Sequence, residues 1–334
     1  MSCTPATFAM PSGQLPGIGK AVSRLVLGTM IINTEEEEAS FQLLDDAFTL
    51  GWNTLDTAHV YAGGNSERCI GQWMKKRGNR DAIVILAKGA HHNPDRPRVT
   101  PFDIAADLHD TLARLGTTYV DMYLLHRDNP SIPVGPIMEA MNEHIRAGRI
   151  RAIGGSNWTH DRLAEANEYA RQKGLIPFTV SSPHFSLAEQ VDNPWGAGCV
   201  GISGPSQATA RSWYAVSGVR IFAYSSLARG FFSGRVLSSD GRDGAKQKVD
   251  QACWNAYCHP GNFERLRRAE ILAKAKCLTV PQIATAYIMN HPLRIFACIG
   301  AASRLEMQAN LAAASIQLSP AEMAWLDLER PDYP

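Results

Sequence analysis

Several features are scarce in this chain, and each absence excludes a class of protein. With 33 basic and 32 acidic side chains, the formal net charge is only +1. A protein that binds nucleic acid or an anionic membrane surface through its overall field needs a marked positive charge, so neither partner is expected and the ligand should be small. The seven cysteines include no pair with the CxxC spacing of a zinc or redox site. They are interpreted as reduced thiols that mostly fill the core.

The sequence also shows no targeting segment and no linker between domains. Residues 1–14 have neither a basic start nor a continuous apolar stretch, so no secretory signal or membrane anchor is expected there. A cytoplasmic location is the default expectation. No Pro, Gly or Ser tract divides the chain, and its 334 residues, 45% of them hydrophobic, are predicted to form one domain over 1–334, with a core at about 23–316.

Apolar runs typical of β-strands alternate with helical patterns from residue 23 onward. Eight such runs are found, each followed by a helix, and most are too apolar to have one face in water, as in parallel strands covered on both sides. Eight units fit a closed barrel better than an open sheet, so the predicted fold class is α/β, a (β/α)8 TIM barrel. The predicted strands are 23–30, 53–58, 82–89, 119–127, 149–157, 178–185, 219–226 and 294–302.

Three long connections follow predicted strands at the end of the barrel where active sites form. They cover residues 91–101, 186–204 and 229–262, and the last contains Trp254, Tyr257 and His259. Loops of this length at that end usually build a substrate pocket or a lid.

Two motifs with an apparent ligand role are rejected. The GIGKAV stretch from Gly17 to Val22 resembles the start of a dinucleotide fingerprint, but it precedes the first strand, whereas a true fingerprint follows a strand and opens a helix. His91 and His92 suggest a metal, yet adjacent side chains diverge and no nearby acidic or Cys residue completes a ligand set. No metal is therefore expected.

Four chemically complementary side chains lie at or just past the ends of predicted strands: Asp56, Tyr61, Lys88 and His126. A tyrosine, with a reference pKa of about 10, exchanges its proton more easily near neutral pH if an ammonium stabilises the phenolate. Lys88 supplies that charge, Asp56 is its natural counterion because an unpaired lysine is costly to bury, and His126 can hydrogen bond a substrate oxygen. Taken singly, each residue is explained by a purely structural role with a probability of at least about one half. Jointly, they predict a proton donor beside a carbonyl.

These residues also form a known pattern, and the chain resembles the aldo-keto reductase superfamily. LDTAHVYAGGNSE is similar to that family's D-T-A-x-x-Y-G-x-x-E region, with one residue more between Tyr61 and Glu67, and the KG at Lys88 and LLHR at His126 match two further blocks. The resemblance covers about residues 25–310. It implies reversible hydride transfer between a nicotinamide cofactor and a carbonyl or alcohol, without a metal. In this scheme Tyr61 is the general acid, Lys88 and Asp56 tune it, and His126 orients the carbonyl.

The resemblance also implies a cofactor site that uses several strand ends. The GTM block at 28–30 would lie under the cofactor, Ser156 and Asn157 would hold the nicotinamide amide, and the ring of Tyr224 would stack on the nicotinamide. A pyrophosphate loop and an adenosine stretch follow, where Ser303 is expected to cap a helix that favours an anion. The implied cofactor residues are Gly28, Thr29, Met30, Asp56, Ser156, Asn157, Ser182, Tyr224, Ser225, Leu227, Arg229, Gly230, Gly300, Ser303, Arg304, Gln308 and Asn310.

Two departures from the family pattern bear on the cofactor. Ser182 stands where the family often has Gln, so a hydrogen bond to the carboxamide would be lost or mediated by water. Ala302 and Glu306 stand where arginines commonly clamp a 2'-phosphate, although Arg304 is close enough in sequence to compensate. A glutamate facing the pocket would repel a phosphate and accept from a free ribose hydroxyl. Family habit favours NADPH, and NADH stays open.

The leading functional interpretation is an NADPH-dependent reductase of an aldehyde, a ketone or a sugar-like carbonyl. An NAD-linked alcohol or sugar dehydrogenase that works oxidatively is the second. A cofactor-binding regulatory subunit is the third, which the complete set of four residues disfavours. A phosphate-handling barrel enzyme could instead use Lys88 as a Schiff-base nucleophile, which the dinucleotide stretches disfavour.

The substrate pocket is expected to be shaped by Trp158, Phe185 and the three long connections. Their aromatic content suits an apolar or ring-shaped small-molecule carbonyl. No exposed apolar stripe stands out, so a monomer is the default expectation and a homo-oligomer stays open.

Overall fold

The apolar runs predicted as strands form a closed barrel of parallel strands in a computed structural model that describes residues 8–334. Residues 1–7, half of the segment expected to carry no targeting signal, lie outside the described part. The strands are β1 (Ser12–Leu15), β2 (Ile18–Ser23), β3 (Leu25–Gly28), β4 (Thr54–Asp56), β5 (Val84–Gly89), β6 (Val120–Leu125), β7 (Ile150–Ser156), β8 (Val180–Ser182), β9 (Arg220–Ala223) and β10 (Phe296–Ile299). Strands β3 to β10 pair in chain order and β10 closes on β3. The predicted (β/α)8 fold of a single domain is confirmed.

Helices surround the barrel. They are α1 (Glu37–Thr49), α2 (Asn65–Arg77), α3 (Pro101–Leu115), α4 (Val134–Arg146), α5 (His160–Lys173), α6 (Ala208–Ser217), α7 (Gly241–Ala245), α8 (Gln251–Tyr257), α9 (Pro260–Lys276), α10 (Val280–Asn290), α11 (Arg304–Ala313) and α12 (Pro320–Leu326). Helix α3 shows how local sequence sets these bounds, because Thr100 accepts from the Asp103 N–H, Pro101 occupies the first turn, and Gly116 ends the helix in the left-handed region. Within residues 8–334, no helix combines the length and apolar character needed to cross a membrane.

Side chains that alternate along the strands fill the barrel interior. Leu86 on β5 and Leu124 on β6 belong to the buried interior cluster. Because strand side chains alternate with a period of two, Lys88 and His126 project toward the same inward face one step further along. The inward side chains thus change from apolar to polar at the carboxyl ends of the strands.

A hairpin formed by β1 and β2 was not predicted from the sequence. Its strands are short and rich in Gly and polar residues, so they lack a clear apolar period. Gly17 lies in its turn with φ +81°, so the rejected GIGKAV motif belongs to a hairpin and not to a helix start. Three buried hairpin side chains join the barrel interior and close its amino end: Leu15, Ile18 and Val22.

The long connection over 229–262 carries short helices that the sequence pattern did not predict. This connection contains α7, α8 and the start of α9. Tyr257 is fully buried, and Trp254 packs against the Arg242 guanidinium with 3.8 Å between the guanidinium carbon and the ring centroid. Helices of one or two turns are too short to show a periodic signal, which explains why they were not predicted.

The contact between β7 and β8 leaves no room for a side chain at Gly154. A Cβ there would lie 1.9 Å from the backbone oxygen of Val180. Gly154→Ala should therefore push two barrel strands apart and lower the free energy of unfolding by about 3 kcal/mol. Urea unfolding would measure this, with Gly19→Ala as the matched control, since no atom lies within 4 Å of that Cβ. Equal stability of the two variants would contradict the packing argument.

Candidate active site

The four predicted catalytic residues, called the tetrad below, meet at the carboxyl end of the barrel. Asp56 ends β4, Lys88 lies near the end of β5, His126 follows β6, and Tyr61 opens a short turn after β4. The Lys88 Nζ donates to Asp56 Oδ1 and, at 3.2 Å, to the Tyr61 hydroxyl. The Tyr61 and His126 ring centroids are 5.9 Å apart. Residues separated by up to 70 positions in sequence thus form one cluster.

A buried ion pair lies at the centre of the tetrad. Lys88 and Asp56 are only 2% and 4% exposed. Burial is the largest single influence and opposes the ammonium charge, but Asp56 and Tyr61 together outweigh it and hold the pKa of Lys88 above its ordinary value. The Thr57 carbonyl accepts a further hydrogen bond from Nζ at 3.2 Å. The ammonium therefore stays charged and fixed beside the Tyr61 hydroxyl.

Burial also sets the protonation of the other two members. It raises the pKa of Tyr61 to about 12, although the Lys88 ammonium lowers that pKa in part. The lowering expected from Lys88 is present, but the effect of burial on the pKa of Tyr61 is larger. Burial, followed by Lys88 and His91, holds the pKa of His126 well below its usual range. At neutral pH the site therefore holds a protonated phenol and a neutral imidazole.

The turn that carries Tyr61 is anchored from behind by a second ion pair, which sequence reasoning missed. The Arg114 Nη1 donates to Glu67 Oε2 at 3.0 Å and to the His59 carbonyl at 2.9 Å. Glu67 is fully buried. The extra residue between Tyr61 and Glu67 is accommodated by positive φ angles throughout residues 62–64.

Backbone strain is concentrated around this face. Of the nine non-glycine residues in 8–334 with positive φ, six follow barrel strands at the carboxyl end, namely Ala62, Ala90, Asn157, Ser225, Ala228 and Arg229. Such conformations cost on the order of 1–3 kcal/mol each and persist where the surrounding structure fixes them, often at functional sites. A concentration of such residues at one end of a barrel is typical of a functional site.

A cavity of about 1020 Å³ extends from the tetrad past β9 and β10 to α11. Ligand pockets typically measure about 300–1,000 Å³, so this one suits a ligand larger than a simple carbonyl compound. The expected cofactor residues that line it are Gly28, Met30, Asp56, Ser156, Asn157, Tyr224, Ser225, Leu227, Arg229, Gly230, Gly300 and Asn310.

Three expected cofactor residues lie off the cavity because their side chains are placed elsewhere. Thr29 is fully buried and its hydroxyl donates to the Asp56 carbonyl at 3.0 Å, which ties β3 to β4. The Ser182 hydroxyl is buried with no hydrogen-bond partner in residues 8–334. Gln308 is exposed on α11. These three residues support or flank the site and do not line it.

The remaining two expected cofactor residues, Ser303 and Arg304, lie at the start of α11. Ser303 caps the helix by accepting from the Glu306 N–H at 3.3 Å, as expected, but its side chain does not line the cavity. Arg304 turns away and donates to Asp46 at 2.8 Å and to Thr49 at 2.9 Å on α1. Its guanidinium therefore does not line the cavity. Glu306 does line the cavity.

Ser156 and Asn157 reach the cavity, yet both are engaged with the protein. Asn157 Oδ1 accepts from the Tyr224 hydroxyl at 2.7 Å and from the Val200 N–H at 3.1 Å. Its Nδ2 donates to the His126 carbonyl and to the Ser156 hydroxyl, both at 3.2 Å. Asn157 thus links strand ends β6, β7 and β9 to the connection after β8.

Trp158 and Phe185, expected at the substrate pocket, do not line the cavity. Trp158 is fully buried, donates to the Arg127 carbonyl at 3.2 Å, and packs edge-on against Phe178. Phe185 is 1% exposed and stacks on Tyr287. Both aromatic rings belong to the core beneath the site, so the expectation is wrong.

A segment around Trp195 crosses the cavity instead, in the connection after β8 that was predicted as a pocket-forming loop. The Trp195 indole donates to the Ser225 hydroxyl at 3.0 Å, and its carbonyl accepts from Arg127 at 3.0 Å. The Arg229 guanidinium stacks 3.9 Å from the ring centroid and pairs with Asp250 at 2.9 Å. This segment therefore joins the ends of β6 and β9 across the site.

Other lining residues were missed by sequence reasoning. They include Ile31, Val60, His91, Arg127, Arg235 and Cys298. Alternation with Phe296 on β10 gave a usable signal for Cys298, whereas Arg235 lies in a turn with no such pattern. In the part of the chain that is described, no cluster of three or more His, Cys, Asp or Glu side chains is placed to hold a metal ion.

Comparisons with known proteins agree with this geometry. A sequence model described as "Aldo/keto reductase family" matches residues 24–328. The chain is 28% identical to an aryl-alcohol dehydrogenase [NADP(+)] of Phanerodontia chrysosporium, over 93% of this chain and 83% of that protein. It is 25% identical to norsolorinic acid reductase B of Dothistroma septosporum, over 95% and 80% of the respective chains. A solved thermostable aldo-keto reductase in complex with epalrestat superimposes with a TM-score of 0.72 at 27% identity, covering 96% of this chain and 99% of that one.

The buried ion pair between Lys88 and Asp56 leads to a prediction about stability. Asp56→Asn leaves the Lys88 ammonium without its counterion and should lower the free energy of unfolding by about 3–5 kcal/mol. Adding Lys88→Met should recover a large part of that loss, because the uncompensated charge is removed. Urea unfolding of both variants measures the difference. A double variant no more stable than Asp56→Asn alone would contradict the assignment.

Proposed function

Because the chain belongs to the aldo/keto reductase family of oxidoreductases, we propose that it reduces an aldehyde or ketone to an alcohol with a nicotinamide cofactor, with Tyr61 as the general acid. The observation that carries this proposal is the Tyr61 hydroxyl, protonated and 3.2 Å from a buried ammonium at the end of a large cavity. A positioned proton donor is what carbonyl reduction requires beside its hydride source.

When bound, the reduced nicotinamide supplies the hydride. Tyr61 gives its proton to the carbonyl oxygen as negative charge develops there, and the Lys88 ammonium stabilises the phenolate that remains. Asp56 keeps that ammonium charged and in place. Neutral His126 hydrogen bonds the carbonyl and orients it. In the oxidative direction the Tyr61 phenolate accepts the proton of the alcohol.

The lining residues fit a long anionic cofactor. Gly28, Gly230 and Gly300 present no side chain to the cavity. The loop 225–230 contains several left-handed residues, an arrangement that turns backbone N–H groups toward an anion. Arg235 lines the same region and has no carboxylate within 4.0 Å among residues 8–334. We expect these groups to hold a pyrophosphate.

The tetrad argues against a Schiff-base enzyme. A nucleophilic lysine must lose its proton, and a lowered pKa is the usual means. Asp56, together with Tyr61, instead keeps the pKa of Lys88 above its ordinary value, even against burial. Lys88 is therefore suited to electrostatic support of Tyr61.

The residues around the expected adenosine site support a second candidate function, which differs from the first in its dinucleotide. The NADP(+) in the name of the fungal relative supports a phosphorylated dinucleotide, as the first candidate requires. The adenosine end of this cavity, however, presents Glu306 and lacks Arg304, which supports NAD(H) and hence an NAD-linked alcohol dehydrogenase. A carboxylate there repels a phosphate and accepts from a ribose hydroxyl.

Tyr61→Phe tests the proposed acid. Removing the phenol leaves the cavity intact but abolishes proton donation, so kcat for carbonyl reduction should fall by roughly 10²–10⁴-fold. Oxidation of NADPH or NADH in the presence of an aryl aldehyde would be followed by absorbance. Tyr119→Phe is the control, since that ring packs near Lys20, Arg80 and Arg151 away from the cavity. Full activity of Tyr61→Phe would refute the role.

Glu306→Gln tests the cofactor end independently of chemistry. Neutralising the carboxylate removes its repulsion of a 2'-phosphate, so the affinity for NADPH should rise by about tenfold while that for NADH changes less. Titration calorimetry of both dinucleotides measures the two dissociation constants. Arg304→Gln serves as the control, because that side chain pairs with Asp46 outside the cavity. An unchanged NADPH affinity in Glu306→Gln would show that the carboxylate does not face the cofactor.

A further inference from the structure

We propose that His91 is a specificity-determining residue that accepts a hydrogen bond from a substrate hydroxyl, so that the preferred substrates are hydroxylated carbonyl compounds on an otherwise apolar frame. The inference rests on the proposed function, because it places the reacting carbonyl at Tyr61 and His126. It adds the chemical class of the substrate.

His91 lies beside the reacting centre. It follows β5, lines the cavity, and its ring centroid is 4.8 Å from that of His126 at an interplanar angle of 84°. A group that contacts His91 is therefore only a few bonds from a carbonyl held by His126. The position suits a substituent close to the carbonyl, such as one on the same aromatic ring.

The segment carrying His91 is held firmly by two ion pairs to α3. Arg96 donates to both carboxylate oxygens of Asp103, at 2.7 and 2.8 Å. Arg98 does the same to Asp107, at 3.0 and 2.6 Å. Bidentate pairs of this kind fix geometry as well as contributing energy, so His91 presents a defined surface to the cavity.

One hydrogen bond fixes which nitrogen of His91 carries the proton. Nδ1 lies 2.7 Å from the His92 carbonyl oxygen, which can only accept, so Nδ1 must be the donor. Burial, with Arg127 contributing, lowers the pKa of His91, so the ring is neutral at neutral pH. Nε2 of that neutral tautomer carries a lone pair, and no group in residues 8–334 donates to it.

The neighbouring polar groups leave His91 as the available acceptor. Arg127 has only donors, two of which are engaged by the His126 and Trp195 carbonyls. The Asn157 amide is fully engaged, as described above. Much of the remaining lining near the tetrad is apolar, including Met30, Ile31 and Val60. An unpaired acceptor in such surroundings favours a ligand that brings a donor, because a ligand without one leaves it unpaired.

The test compares benzaldehyde with its ortho- and meta-hydroxy derivatives and with the matching methoxy compounds, which keep the oxygen but cannot donate. For the unmodified protein, kcat/KM should favour at least one hydroxy compound over its methoxy partner by about five- to tenfold, the factor expected of one neutral hydrogen bond. His91→Phe should abolish that preference, measured as the ratio of kcat/KM for the hydroxy and methoxy partners within the variant. His91→Gln, which offers an amide oxygen, should retain part of it.

His92→Phe is the matched control, since His92 does not line the cavity and the substitution keeps the backbone carbonyl that fixes the His91 tautomer. The preference should survive this change. Reduction of benzaldehyde with no hydroxyl preference, or a preference that persists in His91→Phe, overturns the inference and leaves the proposed function standing. Failure to reduce any of these aldehydes overturns the inference. If calorimetry also detects no nicotinamide binding, the proposed function falls with it.

Discussion

The buried ion pair between Lys88 and Asp56 is the interaction on which the rest of the site depends. It exists because β4 and β5 pair with Asp56 opposite Leu86, which brings the next inward residue of β5 over the carboxylate. Either charge alone would be costly so far from water, and each makes the other tolerable. The register of two barrel strands and the placement of a proton donor are therefore a single requirement.

The same exclusion of water acts differently on each member of the tetrad. It keeps the phenol of Tyr61 protonated and the imidazole of His126 neutral, while the ammonium of Lys88 persists only because its counterion is within hydrogen-bonding distance. A low dielectric also strengthens the pull of that ammonium on any charge that develops at Tyr61. In the proposed reaction, the resting site thus holds the proton on Tyr61, with the Lys88 ammonium beside the oxygen where negative charge develops.

The positions of the tetrad residues could be predicted from sequence. Alternation along a strand determines the face to which a side chain points, and the strand end determines the end of the barrel at which it lies. Trp158 and Phe185 could not be assigned in this way, since both lie just past a strand, where alternation no longer decides between core and cavity. The orientation of Arg304 depends on Asp46, 258 positions away, and no local pattern records that contact. The hairpin β1–β2 was not predicted because its strands are too short and too polar to show a period of two.

That hairpin has a consequence for the integrity of the barrel. Leu15, Ile18 and Val22 pack in one buried cluster with interior side chains of β3 and of β5 to β10. Without them, this end of the cluster would meet water and lose apolar burial that contributes about 1.5–3 kcal/mol for each side chain. Residues that precede the first barrel strand thereby stabilise strands from the far end of the chain.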